Sequence, residues 1–474
     1  MAIKVTVIGA GPGGYTAAIR AAQRGAEVTL IERDNVGGTC LNWGCIPSKI
    51  MITTAELLDK FNRAQEFGLK LEGKVGTDMQ RLMERKEKVI KDQTKGILDL
   101  LQLHKVRYLR GTGIIKGKGL ASAQLEDGTT HEITWDRLII ASGTEPFNLP
   151  GFPFDGEQVL SSSDALCLRA VPESLMILGG GVIGCEFAFL FASLGSRVSV
   201  VESMDRLLPL PSVDEACSRV IQREMKKRKI SFQLRKTAQS VERAGGRLRV
   251  SIGDAPFAET GGKPPAVVEV DKLLVSIGRR PKTSGIGLDT LDVALDEKGW
   301  IIADEHMQTN APGVYAIGDV LGPARIMLAH VASSEGLIAA ENATGGNRIM
   351  DYGIVPGAIF TMPEVANVGL SEAQARDKGL QVRVDTVLFR TLGKAQVIGE
   401  IAGETKIISE VQTGRLLGVH IVGPHATDLI AEATLALKMG ATVTDLAETI
   451  HAHPTLSEVM LEASFKALDI SVHG

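Results

Sequence analysis

Two stretches of the chain set the same pattern of glycines between the same kinds of neighbours. In "IKVTVIGAGPGGYTAAIRAAQRGAEVTLIE" an apolar strand runs into Gly9, Gly11 and Gly14, then an alanine-rich helix, then a second strand ending at Glu32. In "SLMILGGGVIGCEFAFLFASLGSRVSVVE" the order repeats with Gly179, Gly181, Gly184 and Glu202. Gly9 to Glu32 and Gly179 to Glu202 are both 23 residues apart. A lone G-x-G-x-x-G is a weak signal. Two copies, each between a strand and a helix, predict two Rossmann-like βαβ units and an α/β chain.

The chemistry follows from the glycine positions. The first permits the tight turn, the second lets backbone approach a pyrophosphate, and the third lets helix pack on strand. The anion then meets a helix N-terminus, where free N–H groups and the dipole favour it. A glutamate closing the second strand accepts from ribose hydroxyls and repels a 2′-phosphate, so Glu202 selects NAD over NADP. Two sites imply two dinucleotides, most simply FAD and a nicotinamide. The stretch "GVYAIGDV" (313–320) supports the flavin, because its strand ends where Asp319 can bond a ribityl hydroxyl.

At 474 residues the chain is too long for one core, and about three domains are expected. The net charge of −4 has no long run of either sign, which argues against a nucleic-acid or membrane-surface partner. The opening "MAIKVTVIGAGPGG" is a strand and glycine loop, not a secretory leader. Residues 175–194 are apolar enough to imitate a membrane span. Glu186 and three consecutive glycines instead predict strand, loop and buried helix. Five cysteines (Cys40, Cys45, Cys167, Cys185, Cys217) are an odd number without framework spacing, which suits a reducing cytoplasm.

Two of those cysteines crowd into "GGTCLNWGCIPSK" (37–49). C-x₄-C with no second Cys or His pair nearby is not a zinc spacing, and no metal is expected. A structural disulfide would close a very short loop, add little stability, and be reduced in a cytoplasm. A reversible redox pair remains. In a regular helix, residues i and i+5 have Cα atoms roughly 8–9 Å apart. A disulfide needs less than about 7 Å. The segment must therefore break between Cys40 and Cys45, and Asn42 and Gly44 are residues that permit it.

From about residue 350 the character changes to proline- and glycine-punctuated strands followed by amphipathic helices, an α+β module of about 120 residues without a glycine fingerprint. Its "HAHPTLSE" (451–458) supports two readings. His453 could serve as a base near neutral pH, with Glu458 orienting its ring. Thr455-x-x-Glu458 also reads as a capping box opening the next helix. Spacing alone does not separate them.

The segments "GGTCLNWGCIPSK" and "HAHPTLSE", with both glycine loops, resemble the flavin disulfide reductase superfamily, and within it the dihydrolipoyl dehydrogenases, along the whole chain. The resemblance implies a glutathione-reductase-like plan. Residues 1–145 and 276–349 would form the FAD-binding domain, 146–275 the NAD-binding domain, and 350–474 a C-terminal dimerisation domain. It makes Cys40 the interchange thiol and Cys45 the charge-transfer thiol. It places Lys49 by the flavin, paired with Glu186, and assigns His453 as base, Glu458 as its partner and His451 to structure. "IIASGTEP" (139–146) resembles the chain's exit from the flavin domain, with Ser142, Gly143 and also Gly113 on the flavin. "LLVSIGRRP" (273–281) resembles the return, with Gly278 near the nicotinamide nucleotide. In "IMLAH" (326–330) the amides of Met327, Leu328 and Ala329 would face the flavin, anchored at His330.

The implied enzyme reoxidises dihydrolipoamide, carried on a lipoyl domain or H-protein of a 2-oxo acid dehydrogenase or glycine cleavage complex. The implied homodimer joins the cysteines of one chain to His453 of the other. A glutathione-reductase-like enzyme using NADPH is the alternative, but it would place arginines where this chain has "VESMDRLL". Mercuric reductases end in a vicinal cysteine pair, and this chain ends "DISVHG". Soluble transhydrogenases lack the cysteine pair. A binding-only flavoprotein would have no need of Cys40, Cys45, His453 and Glu458 together. Trp43 between the cysteines departs from the usual pattern. No N-terminal lipoyl extension is expected.

Overall fold

A computed structural model describes residues 2–258, 265–470 and 472–473. The chain forms two units. One comprises Met1–Met51, Gln80–Phe147 and Gly278–Tyr352; the other comprises Ile52–Met79, Asn148–Ile277 and Gly353–Gly474.

The first unit is built on the strand Lys4–Ile8, whose Val5 and Val7 are buried. It pairs in parallel with Glu27–Glu32 on one side and Arg137–Ile140 on the other. Val314–Ala316 and Arg107–Gly117 extend the parallel sheet outward. Two antiparallel strands, Leu120–Leu125 and Thr130–Thr134, complete seven. Near-continuous apolar runs such as "KVTVI" are what a parallel sheet covered on both faces requires. The helices Pro12–Gln23 and Ala329–Ala343 pack closely where Gly336 faces the carbonyl of Gly13, a spot with no room for a side chain.

The second unit repeats the theme. Ser174–Leu178 pairs in parallel with Arg197–Val201 and Lys272–Val275. Ser231–Gln233 and Val159–Leu160 form the edges. The stretch that imitates a membrane span is this central strand, a glycine turn and the buried helix Val182–Ser193. No helix among the described residues is long and apolar enough to cross a membrane. The C-terminal module is a five-stranded antiparallel sheet, with its core closed by the helices Ala426–Met439, Val443–Glu448 and Glu458–Ala467.

Within this unit a buried ion cluster joins the second dinucleotide fold to the C-terminal sheet. Lys406 donates to Asp214 at 2.8 Å and to Glu372 at 2.9 Å. Asp214 also caps the helix Glu215–Lys227 by accepting from Ala216 N–H. Burial pushes the Asp214 carboxyl up, but the bonds from Lys406 and Ala216 outweigh it and hold the group below the usual range. Stabilisation from a depressed carboxyl is present at neutral pH and lost as pH falls through its folded value. Lys406→Met strands a buried carboxylate and should cost about 3–5 kcal/mol in urea unfolding. The loss should shrink as the pH is lowered toward the carboxylate range.

Candidate active site

The two glycine loops are duplicates in atomic detail. Gly9 and Gly179 both lie at φ +100°, and a Cβ on either would collide with a neighbouring strand's carbonyl, Ala141 or Ser276. Gly14 and Gly184 sit against the carbonyl oxygens of Gly9 and Gly179, with no room for a methyl group. Gly11 and Gly181 differ: nothing lies within 4 Å of where their side chains would begin. Each immediately precedes its helix, so open space faces a helix N-terminus. The glutamates do more than the sequence suggests. Glu32 accepts from Ala10 N–H at 2.6 Å and Asp34 N–H at 2.8 Å. Glu202 accepts from Gly180 N–H at 2.5 Å and Met204 N–H at 2.7 Å. Each carboxylate ties its glycine loop to the end of its strand.

A dinucleotide fits these features. The space before Gly11 and Gly181 suits a pyrophosphate. Ser142 Oγ, at the exit from the first sheet, is buried and finds no hydrogen-bond partner among the described residues. Gly143 and Gly278, at equivalent places after the two sheets, also face open space at positive φ. Gly113 is different, packed against Ile8 and Ile31 within the sheet. Met327 and Leu328 lead into the helix Ala329–Ala343, with Ala329 and His330 in a first turn whose amides have no acceptor inside the helix.

The cysteine segment breaks as its spacing requires. Helix Gly38–Trp43 stops at Gly44, and helix Cys45–Asn62 starts at the next residue. A Cβ on Gly44 would come within 2.9 Å of Thr39 O, so the break needs glycine there. Asn42 has another task than the break: from inside the first helix its amide donates to Val36 O (3.1 Å) and Gly38 O (3.0 Å), tying down the preceding loop. Pro47 falls in the new helix's first turn, where its missing N–H costs no bond. The break brings the Cys40 and Cys45 thiols into hydrogen-bond contact. That contact, then burial, pushes the Cys40 thiol far up, with Lys49 pulling the other way. Cys45 is exposed and Cys40 half-buried.

Residues absent from the sequence-level reading surround Asp319. Thr144 Oγ donates to Asp319 at 3.2 Å and accepts from Arg279 Nε at 2.6 Å. Burial pushes the Asp319 carboxyl up, and Arg279 and Thr144 oppose it. Glu335, 1% exposed, accepts from Gly318 N–H and Tyr352 OH, both at 2.6 Å, and so fixes the turn that carries Asp319. Thr144 and Arg279 occupy matching places in the two crossing segments, whose strands Thr144–Pro146 and Arg279–Pro281 pair with each other. The repeated glycine-x-x-proline of "SGTEP" and "IGRRP" is the signal that could have revealed them.

In the second unit, Glu186 is buried and accepts from Phe360 N–H at 2.9 Å. Lys49 and Cys40 belong to the first unit, Glu186 and His453 to the second. His453 Nδ1 meets Glu458 Oε1 at 2.8 Å, while Glu458 Oε2 accepts from Thr455 N–H at 2.8 Å. One carboxylate oxygen thus serves His453 and the other Thr455 N–H, but the capping box does not form: the helix opens at Glu458 itself, and Thr455 Oγ donates to Ala452 O instead. Burial pushes Glu458 up, but the bonds from His453 and Thr455 hold it below its usual range. Nδ1 faces the carboxylate, Nε2 is left open, and the ring is 76% exposed.

Residues 3–336 match the family model for pyridine nucleotide-disulphide oxidoreductases, and residues 355–464 match that family's dimerisation domain. The chain belongs to the pyridine nucleotide-disulphide oxidoreductase family. It is 41% identical to a dihydrolipoyl dehydrogenase of Chlamydia muridarum, over all of this chain and 98% of that one. It is 43% identical to one from Thermus scotoductus (97% of this chain, 96% of that one) and 38% identical to one from Bacillus subtilis (99% and 100%). Among solved structures, LpdA of Mycobacterium tuberculosis superposes with a TM-score of 0.90 at 30% identity, covering 98% of this chain and 99% of that one. Both duplicated loops fall within the first family match, residues 3–336. The sequence-based expectation that the first loop holds flavin and the second the nicotinamide can be tested by splitting them: on that expectation Gly14→Ala should yield protein without visible flavin absorbance. Gly184→Ala should stay yellow yet bind NADH about tenfold more weakly or worse in calorimetric titration, a loss of roughly 1.4 kcal/mol.

Proposed function

We propose that this protein oxidises dihydrolipoamide to lipoamide with NAD⁺ as final acceptor. The observation that carries the reading is the pair of complementary half-sites. Two thiols touch across a helix break in the first unit, and an exposed imidazole with a free Nε2 is held by a carboxylate in the second. The relatives that span the whole chain bear the matching name.

His453 Nε2 takes a proton from one substrate thiol, since only the thiolate is nucleophilic. That thiolate attacks the Cys40 sulfur of the Cys40–Cys45 disulfide, and Cys45 leaves as a thiolate. The second substrate thiol then displaces Cys40, its proton passing to the departing Cys40 sulfur, so lipoamide departs with its disulfide closed and the protein pair holds both electrons. Glu458 stabilises the imidazolium formed on the way. Glu32, Ser142, Asp319, the first glycine loop, the amides of residues 327–330 and Lys49 would hold FAD; Glu202 and the second loop would hold NAD⁺. FAD supplies the path by which the two electrons reach NAD⁺ as hydride. A carboxylate at Glu202 favours NAD⁺ over NADP⁺, because it would repel a 2′-phosphate, and speaks against the glutathione-reductase-like alternative.

A homodimer completes the site, with His453 facing the cysteines of the partner chain. The exposed apolar residues Leu435, Met439 and Ile450, the last 97% exposed, sit in the dimerisation module and support it. The substrate arm belongs to a lipoyl domain or H-protein of a 2-oxo acid dehydrogenase or glycine cleavage complex in the cytoplasm.

Anaerobic turnover of the purified protein with dihydrolipoamide tests this directly. NADH should form quickly with NAD⁺ and slowly with NADP⁺, and Cys45→Ser should abolish it. His453→Gln should lose about 10²–10⁴-fold in kcat/KM. Glu458→Gln should move the acidic limb of the pH profile to lower pH, because the imidazolium loses its counter-charge. Turnover of some other disulfide with NADPH, and none with dihydrolipoamide, would overturn the reading.

A further inference from the structure

Two residues before the base, His451 is bonded differently. Its Nδ1 lies 2.8 Å from Thr449 O and its Nε2 lies 2.8 Å from Glu432 Oε1, with the side chain only 5% exposed. Both of its ring nitrogens are therefore engaged. His453, by contrast, has one acceptor partner and one free nitrogen.

Resting on the functional reading above, we propose that Glu432 and His451 form a positioning pair for the base. Glu432, on the helix Ala426–Met439, holds the His451 ring, and the ring ties down the backbone at Thr449. The turn carrying His453 is thereby anchored on its N-terminal side, as Glu458 anchors it on the other through Thr455. The charged groups facing His451 are Glu432 and, from the helix Glu458–Ala467, the Glu458 carboxylate. On the helix between them, Asp445 is engaged by its own cap residue Thr442.

The test compares the wild type with His451→Gln and Glu432→Gln as purified flavin-loaded dimers. Both variants should lose about tenfold in kcat/KM for dihydrolipoamide, the scale of a displaced catalytic group. Both should keep the wild-type rate of NADH-driven ferricyanide reduction, which involves no base. Unchanged kcat/KM would overturn the proposal. So would a parallel fall of both activities together with the thermal midpoint, which marks a merely structural role. A wild type inert toward dihydrolipoamide would instead strike the functional reading and take this pair with it.

Discussion

Two carbonyl oxygens, of Ala141 and Ser276, lie where a side chain on Gly9 or Gly179 would have to go. That close passage of backbone against backbone is the constraint on which both dinucleotide folds rest. Because the loop is pressed against the neighbouring strand, the following helix points its N-terminus at the open space before Gly11 or Gly181. The glutamate at the end of the second strand reaches back and bonds the loop from the far side. Neither sheet needs a large side chain at this spot; each needs the absence of one.

The redox centre obeys a related logic. A continuous helix would hold Cys40 and Cys45 too far apart, so the chain stops and restarts at a residue without a Cβ. The base works by the opposite means, through an excess of fixed partners. Glu458 divides its two oxygens between His453 and Thr455, so the ring and the turn that carries it share one carboxylate.

Much of this was legible in the sequence. The glycine loops, the interrupted cysteine helix and the strand–turn–helix hidden in residues 175–194 all depend on local spacing, which a sequence displays. What was not legible depends on register between distant segments. Arg279 meets Thr144 only because two crossing strands pair. Glu335 reaches Gly318 only because two helices close over one sheet, and Lys406 meets Asp214 across 192 positions. Local spacing also undervalued residues that hold two tasks. Glu202 was read for ribose alone, Asn42 for conformational freedom, and Glu458 as either cap or partner.

The pairing of Thr144–Pro146 with Arg279–Pro281 has a consequence for the order of events during synthesis. Phe147 N–H bonds Gly278 O, so the chain departs and returns at one point. The segment between, 148–277, contains its parallel sheet entire. The first sheet does not: Val314–Ala316 is its edge strand, and the helix Ala329–Ala343 lies over Pro12–Gln23. A chain emerging from the ribosome makes its first strand at once but cannot complete that sheet until some three hundred residues later. The inserted fold can close well before then. Of the two parallel sheets, the one begun first is thus the one finished last.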